Sequence, residues 1–204
     1  MTVTKKPAKA SAHRAVDSPA KLFKNKRDWA AWLDRNHAES TGLWLQIAKK
    51  GSKRQTVTYG QSLEVALCYG WIDGQKRPQD EEIWLQRFLP RSEKSLWSKI
   101  NRNKALALIE SGEMKAAGFT AIEQAKQAGR WETAYDSPRA AAVPSDLQTA
   151  LDAKPRAKAF FETLDKANRY AILWRIQTVK KTETRARKIA HFVAMLERKE
   201  KIHE

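Results

Sequence analysis

The chain has 204 residues, 42% hydrophobic and 30% charged, with a formal net charge of +16. This is enough apolar material for one domain, or one domain with a small appendage, beneath a densely charged surface. No apolar run approaches the roughly 20 residues of a membrane-spanning helix, and the basic start has no apolar h-region, so the sequence reads without a transmembrane segment or a secretory signal.

The positive charge is unevenly spread. Residues 1–27 hold eight Lys/Arg against the single acid Asp17, and residues 180–204 hold eight against four, whereas residues 71–103 hold seven against five. The excess is therefore mostly terminal. It implies attraction to polyanions in general, including weak nucleic-acid contact through residues 1–27, without implying a shaped groove. The one cysteine, Cys68, lies in an apolar helical pattern and reads as a small buried hydrophobe. A chain with no possible intrachain disulfide fits the reducing cytoplasm, which is the location expected.

In chain order, residues 1–20 are rich in Lys, Ala and Ser without periodicity and read as a disordered basic tail. Trp29, Trp32 and Leu33 recur at helical spacing. Leu43 to Ala48 reads as a strand apolar enough to be covered on both faces. Thr58 and Gln61 form a capping-box pattern ahead of a helix carrying Leu63, Ala66 and Leu67. Trp71 to Lys76 and Ile83 to Leu89 read as two strands of a hairpin, the second ended by Pro90. From Ser95 onward the pattern is helical. One helix runs to Gly112 and another spans Met114 to Ala128, closed by Gly129. An ordered crossing loop over 130–144 is anchored by Trp131 and Tyr135. Ser145 and Gln148 repeat the capping signature, short helices surround Pro155, and further helices carry Tyr170 to Ile176 and Thr182 to Leu196. The fold class expected is α+β: a small β-sheet with flanking helices in the N-terminal half and an all-helical C-terminal half. The organisation expected is a 1–20 tail, a 21–112 α+β domain and a 113–204 helical region.

The strings Ala66-Leu67-Cys68-Tyr69-Gly70-Trp71-Ile72-Asp73-Gly74, Leu85-Gln86-Arg87-Phe88, Pro90-Arg91 and Trp97-Ser98-Lys99 resemble the YdeI/OmpD-associated (bacteriocin-protection) family of bacterial proteins. So do Gly129-Arg130-Trp131, Phe160-Phe161 and Lys181-Thr182-Glu183-Thr184-Arg185. The likeness runs from about Leu22 to Arg198. Leu89 stands where the family pattern has a hydroxyl residue, which removes a hydrogen bond at the Pro90-Arg91 corner. The resemblance implies an association with bacteriocin protection and with an outer-membrane porin. It implies no reaction, cofactor or catalytic residue.

The candidate site is drawn from Trp71, Asp73, Arg87, Arg91, Ser95 and Trp97. A hairpin brings Arg87 within reach of Asp73 or Lys76. Arg87 and Arg91 supply bidentate donors for a carboxylate or phosphate, Ser95 a neutral donor at a helix start, and Trp71 or Trp97 a stacking wall. The same residues have plainer readings: the tryptophans as core anchors, Asp73 as a turn residue paired with Arg87, and Ser95 as an N-cap. Asp80, Glu81 and Glu82 form an acidic run in a polar loop, but no histidine or further acid falls at ligand spacing, so no metal and no cofactor are expected. The function expected is a cytoplasmic stress- or envelope-linked binding module for an anionic small ligand or a protein partner, leaning away from catalysis. The alternatives are a nucleic-acid-binding protein using the basic tail and a Trp/Arg surface, or an enzyme with an Asp/Arg acid–base site.

Overall fold

The computed structural model describes residues 20–204. The 1–20 tail reading falls outside these residues except at Ala20, which opens a short strand, β1 (Ala20–Lys21). The chain divides into two compact units. The first holds Trp71–Pro90 and the described residues through Ala66; the second holds Leu67–Gly70 and Arg91–Glu204.

In the first unit, β2 (Leu43–Ala48), β3 (Trp71–Pro78) and β4 (Ile83–Pro90) join β1 in a four-stranded sheet ordered β1-β2-β4-β3. β1 runs parallel to β2 and the other pairings are antiparallel, so the sheet is mixed. Two helices complete the unit, α1 (Lys26–Asn36) and α2, which runs Tyr59–Cys68. Asn25 caps α1 by accepting from the Asp28 N–H. The capping box before α2 forms as expected: the Thr58 N–H donates to Gln61 and the Gln61 N–H to the Thr58 hydroxyl.

Trp29 and Leu33 project from α1 onto one sheet face, where Trp29 meets Phe88 and Trp71 at ring separations of 5.8 and 6.3 Å. By area, each buried indole contributes roughly 4–6 kcal/mol, an upper bound because denatured chains already bury some surface. Both indole N–H groups find carbonyls, Trp29 at Ser62 and Trp71 at His37, so neither ring is buried at the cost of an orphaned donor.

β3 contains a bulge. Asp73 lies opposite Phe88, but Lys76 lies opposite Gln86, so one extra residue is inserted on β3. An unbulged strand would place Gln75 and Arg77 on the face of Phe88. The insertion puts Lys76 and Pro78 there instead, because side-chain direction alternates with every residue. Gln86, 3% exposed, holds the irregularity: its side-chain amide donates to the Gly74, Gln75 and Arg87 carbonyls at 3.0–3.2 Å.

The second unit is helical: α3 (Lys99–Glu110), α4 (Ala116–Gln127), α5 (Ser145–Asp152), α6 (Pro155–Glu162), α7 (Lys166–Gln177) and α8 (Thr182–Glu197). The α+β class and its two halves are as the sequence indicated. Leu147, Leu151, Phe161, Ile172, Ile176 and Leu196 form the centre of its core. Asn168, 2% exposed, is fully used: its Nδ2 donates to Asp165 and to the His203 carbonyl, while its Oδ1 accepts from the Ile202 and His203 N–H groups. One amide therefore fixes the end of the chain to α7.

Two expected caps are corrected. The first helix after β4 starts at Lys99, capped by Ser98, whose hydroxyl accepts from the Asn101 N–H. Ser95 instead closes a turn with Ser92, its N–H bonded to the Ser92 carbonyl and its hydroxyl accepting from the Ser92 N–H. The Ser145/Gln148 box does not form: Pro144 is the N-cap of α5, and the Gln148 amide donates to Asp152. In both places the backbone committed to a turn or a proline before the hydroxyl reached a cap position.

Candidate functional site

The six candidate residues divide three and three between the units. In the first unit, Trp71 is 1% exposed and serves as a core ring against Trp29 and Trp32. Asp73 accepts a 2.8 Å hydrogen bond from the Tyr59 hydroxyl. The Asp73–Arg87 pair expected from the hairpin does not form. Asp73 is registered with Phe88, so Arg87 projects from the opposite face, where it pairs with Trp44 across β2 and places its guanidinium 5.9 Å from that ring. Arg77 covers the same indole at 4.4 Å.

In the second unit, Arg91 lies flat on Trp97, its guanidinium carbon 3.6 Å from the ring centroid, and Trp97 meets Trp131 edge-on at 4.8 Å. The Arg91 Nη1 donates to the Leu96 carbonyl and its backbone N–H to the Gly70 carbonyl. Gly70 is needed here on two counts: its φ is +69°, and a Cβ would sit 2.8 Å from the Ala117 carbonyl oxygen. Arg91, Ser95 and Trp97 line a cavity of about 10 Å³. That is room for at most one water, not for a carboxylate or phosphate ligand. Trp97, 3% exposed, and Arg91 thus form a stacked wedge that sets the start of α3. At this helix start the Asn101 N–H is taken by the Ser98 hydroxyl and the Lys99 N–H by the Tyr135 carbonyl.

A different set of residues forms a recess in the first unit. Lys49, Lys76, Arg77, Pro78 and Trp84 line a cleft of about 330 Å³, near the low end of the size range of small-ligand sites. Pro78 is registered with Trp84, and Trp84 with Ile47, so alternation carries Lys49 to the same face; the bulge brings Lys76 there too. Trp84 is half-buried and flanked by the Tyr59 ring at 5.9 Å. The Lys49 and Lys76 side chains are exposed and make no ion pair among the described residues. The nearby acids have other tasks. Asp80 accepts from the Glu82 and Ile83 N–H groups at 2.8 and 2.7 Å, which holds its carboxyl below the ordinary value. Glu82 accepts from the Lys53 N–H and from Arg54. Asp80 thus shapes the hairpin tip and Glu82 ties it to Lys53 and Arg54. Among the described residues no group of three or more His, Cys, Asp or Glu side chains is placed to hold a metal ion.

Sequence reasoning passed over this cleft because Lys76 and Trp84 lie on different strands, Lys49 follows a third, and only the bulge aligns Lys76 with the others. The signal that was present is Gly74 inside a strand pattern, which marks a bulge.

Two basic residues near α8, Lys180 and Arg185, are committed. Lys180 donates to the Ala128 carbonyl at the end of α4. Arg185 grips Asp146 through Nε and Nη2 at 2.6 and 2.9 Å and the Ile176 carbonyl through Nη1. This bidentate contact holds the Asp146 carboxyl below its ordinary value. No helix of the described residues is long and apolar enough to cross a membrane.

A four-stranded mixed sheet with two helices, followed by a helical unit without a metal cluster among the described residues, defines the class: an α+β protein whose sheet unit carries a cleft lined by Trp84, Pro78 and basic side chains. Residues 140–199 match the family model described as Bacteriocin-protection, YdeI or OmpD-Associated, which supports the family membership indicated by the sequence. Residues 21–121 match a second model, a domain of unknown function (DUF8412). The strings around Ala66–Lys99 therefore lie in a segment with its own model, and the YdeI/OmpD-associated match lies in the C-terminal helices. No curated protein and no solved structure matches the chain.

Proposed function

We propose that the protein is a binding module for an anionic small ligand, held at the cleft between Trp84 and the lysines Lys49 and Lys76. The observation that carries this reading is the pairing of two exposed, unpaired ammonium groups with an apolar wall on one sheet face. A recess with a hydrophobic floor and a few convergent charges orients a ligand by its charged end while burying its remainder. Asp80 and Glu82 support the reading because Asp80 is bonded to the hairpin backbone and Glu82 to Lys53 and Arg54. A cytoplasmic setting belongs to the same proposal, supported by the single thiol at Cys68.

Thermal-shift screening of anionic metabolites against the full chain tests this. A selective ligand should raise the melting temperature of the wild type and of Arg91→Ala, from its own lower baseline, but not of a Lys49→Gln/Lys76→Gln double variant. If no anion stabilises the wild type, or if the shift survives the double lysine change, the cleft is not the site.

A further inference from the structure

We infer that the cleft takes a nucleoside 5′-monophosphate, its base laid against Trp84 and its phosphate held by Lys49 and Lys76. The inference rests on the anionic-ligand reading and adds the chemistry of the ligand's uncharged part.

Three features of the cleft select this class. The floor is an indole facing a proline ring: Pro78 and Trp84 are cross-strand partners, and the Tyr59 ring lies 5.9 Å from the indole. A flat aromatic ligand gains more from such a wall than an aliphatic acid does, and a base stacked on an aromatic side chain contributes about 1–3 kcal/mol. The cations line the same cleft as this wall. Lys49 follows the end of β2, its N–H bonded to the Glu82 carbonyl, and Lys76 follows the bulge, so both ammonium groups extend from the same face as the indole. A ligand must therefore carry its ring and its negative charge on one compact body. Finally, Arg77 lines the cleft but its guanidinium covers Trp44 at 4.4 Å. This leaves two flexible ammonium donors, which suit a compact terminal phosphate better than the planar fork that arginine offers a carboxylate.

The volume of about 330 Å³ matches one small ligand rather than several nucleotides of a strand. Among the described residues no side-chain amide lines the cleft, so stacking and charge carry the affinity and the four bases should differ little.

The experiment is calorimetric titration of the full chain with adenosine 5′-monophosphate, adenosine, ribose 5-phosphate, inorganic phosphate and decathymidylate. The expected result is that the mononucleotide binds at least about tenfold more tightly than either adenosine or ribose 5-phosphate, since each lacks one of the two contacts. Trp84→Leu should weaken the mononucleotide by about tenfold and leave inorganic phosphate unchanged, while Trp84→Phe, which keeps a ring, should retain most of the affinity. Lys49→Gln/Lys76→Gln should abolish the preference for mononucleotide over adenosine. Circular dichroism of each variant separates a lost contact from a lost fold; should Trp84→Leu unfold, the Phe variant and the ligand series decide on their own.

Ribose 5-phosphate binding as tightly as the mononucleotide, with both dependent on the lysines, overturns the nucleotide assignment and leaves the anionic module standing. Tight binding of decathymidylate without the mononucleotide overturns it in favour of a strand-binding surface. Absence of binding across the whole series overturns both readings.

Discussion

Gln86 is the residue on which most else in the first unit depends. A glutamine at 3% exposure in a strand is costly unless its amide is used, and here it serves three carbonyls around the bulge. Gln86→Leu removes those donors while keeping the bulk. It should destabilise the protein by about 1–3 kcal/mol in urea unfolding, the worth of the hydrogen bonds lost at the bulge. It should also weaken ligand binding at the cleft, because relaxing the bulge turns Lys76 away from the face of Trp84. Arg91 and Trp97 make the opposite case. Both read from the sequence as ligand contacts, and the guanidinium lies on the indole at 3.6 Å around a cavity too small for a ligand. Trp97→Ala should cost about 3–5 kcal/mol of stability through the lost packing, and it should leave ligand affinity unchanged wherever the fold persists.

At the level of elements, the start of α3 shows how a single hydroxyl decides a boundary. Ser95 and Ser98 are both plausible caps by residue type, and only Ser98 reaches an N–H of the first turn. Ser98→Ala should lower stability by about 1 kcal/mol, and Ser95→Ala by less than about half of that, as measured by chemical denaturation of the two single variants. The packing of α4 is set by a glycine. A Cβ on Gly118 would collide with the Cys68 carbonyl oxygen and the Met114 sulfur, both within the second unit. The sulfur can swing aside but the carbonyl cannot, so Gly118→Ala should destabilise by roughly 1–3 kcal/mol despite its better helix propensity. The capping box of α2, the strand Leu43–Ala48 and the end of β4 at Pro90 were legible in the sequence because each rests on interactions within a few residues. The cap of α5 was not, since Pro144 took the position that Ser145 was read to prepare.

For the whole molecule, the titration of two acids gives a pH signature. The Lys99 ammonium, 2.7 Å from Asp136, together with the Gln177 amide, holds the Asp136 carboxyl below its ordinary value. The Arg185 guanidinium does the same for Asp146. A carboxyl depressed in the folded state stabilises fully above its unfolded value, here near 3.8, and that contribution is lost as pH falls through the folded value. Stability should therefore drop as pH falls below about 4. Asp136→Asn/Asp146→Asn should be less stable at pH 7 and should show a shallower loss in acid. Equal acid slopes for the variant and the wild type, by thermal unfolding across pH, would remove these pairs as the cause. The sequence by itself determined the class of the fold, the chain order of its elements after β1, and the family pattern, because periodicity, caps and punctuating residues act over one or two turns of chain. The tertiary structure alone decided which side chains share a recess. It buried Trp71, turned Arg87 away from Asp73 and, through one extra residue on β3, carried Lys76 and Pro78 to the face of Trp84. The reason is that side-chain direction in a sheet reverses with each residue, so a single inserted position reassigns which distant side chains can meet.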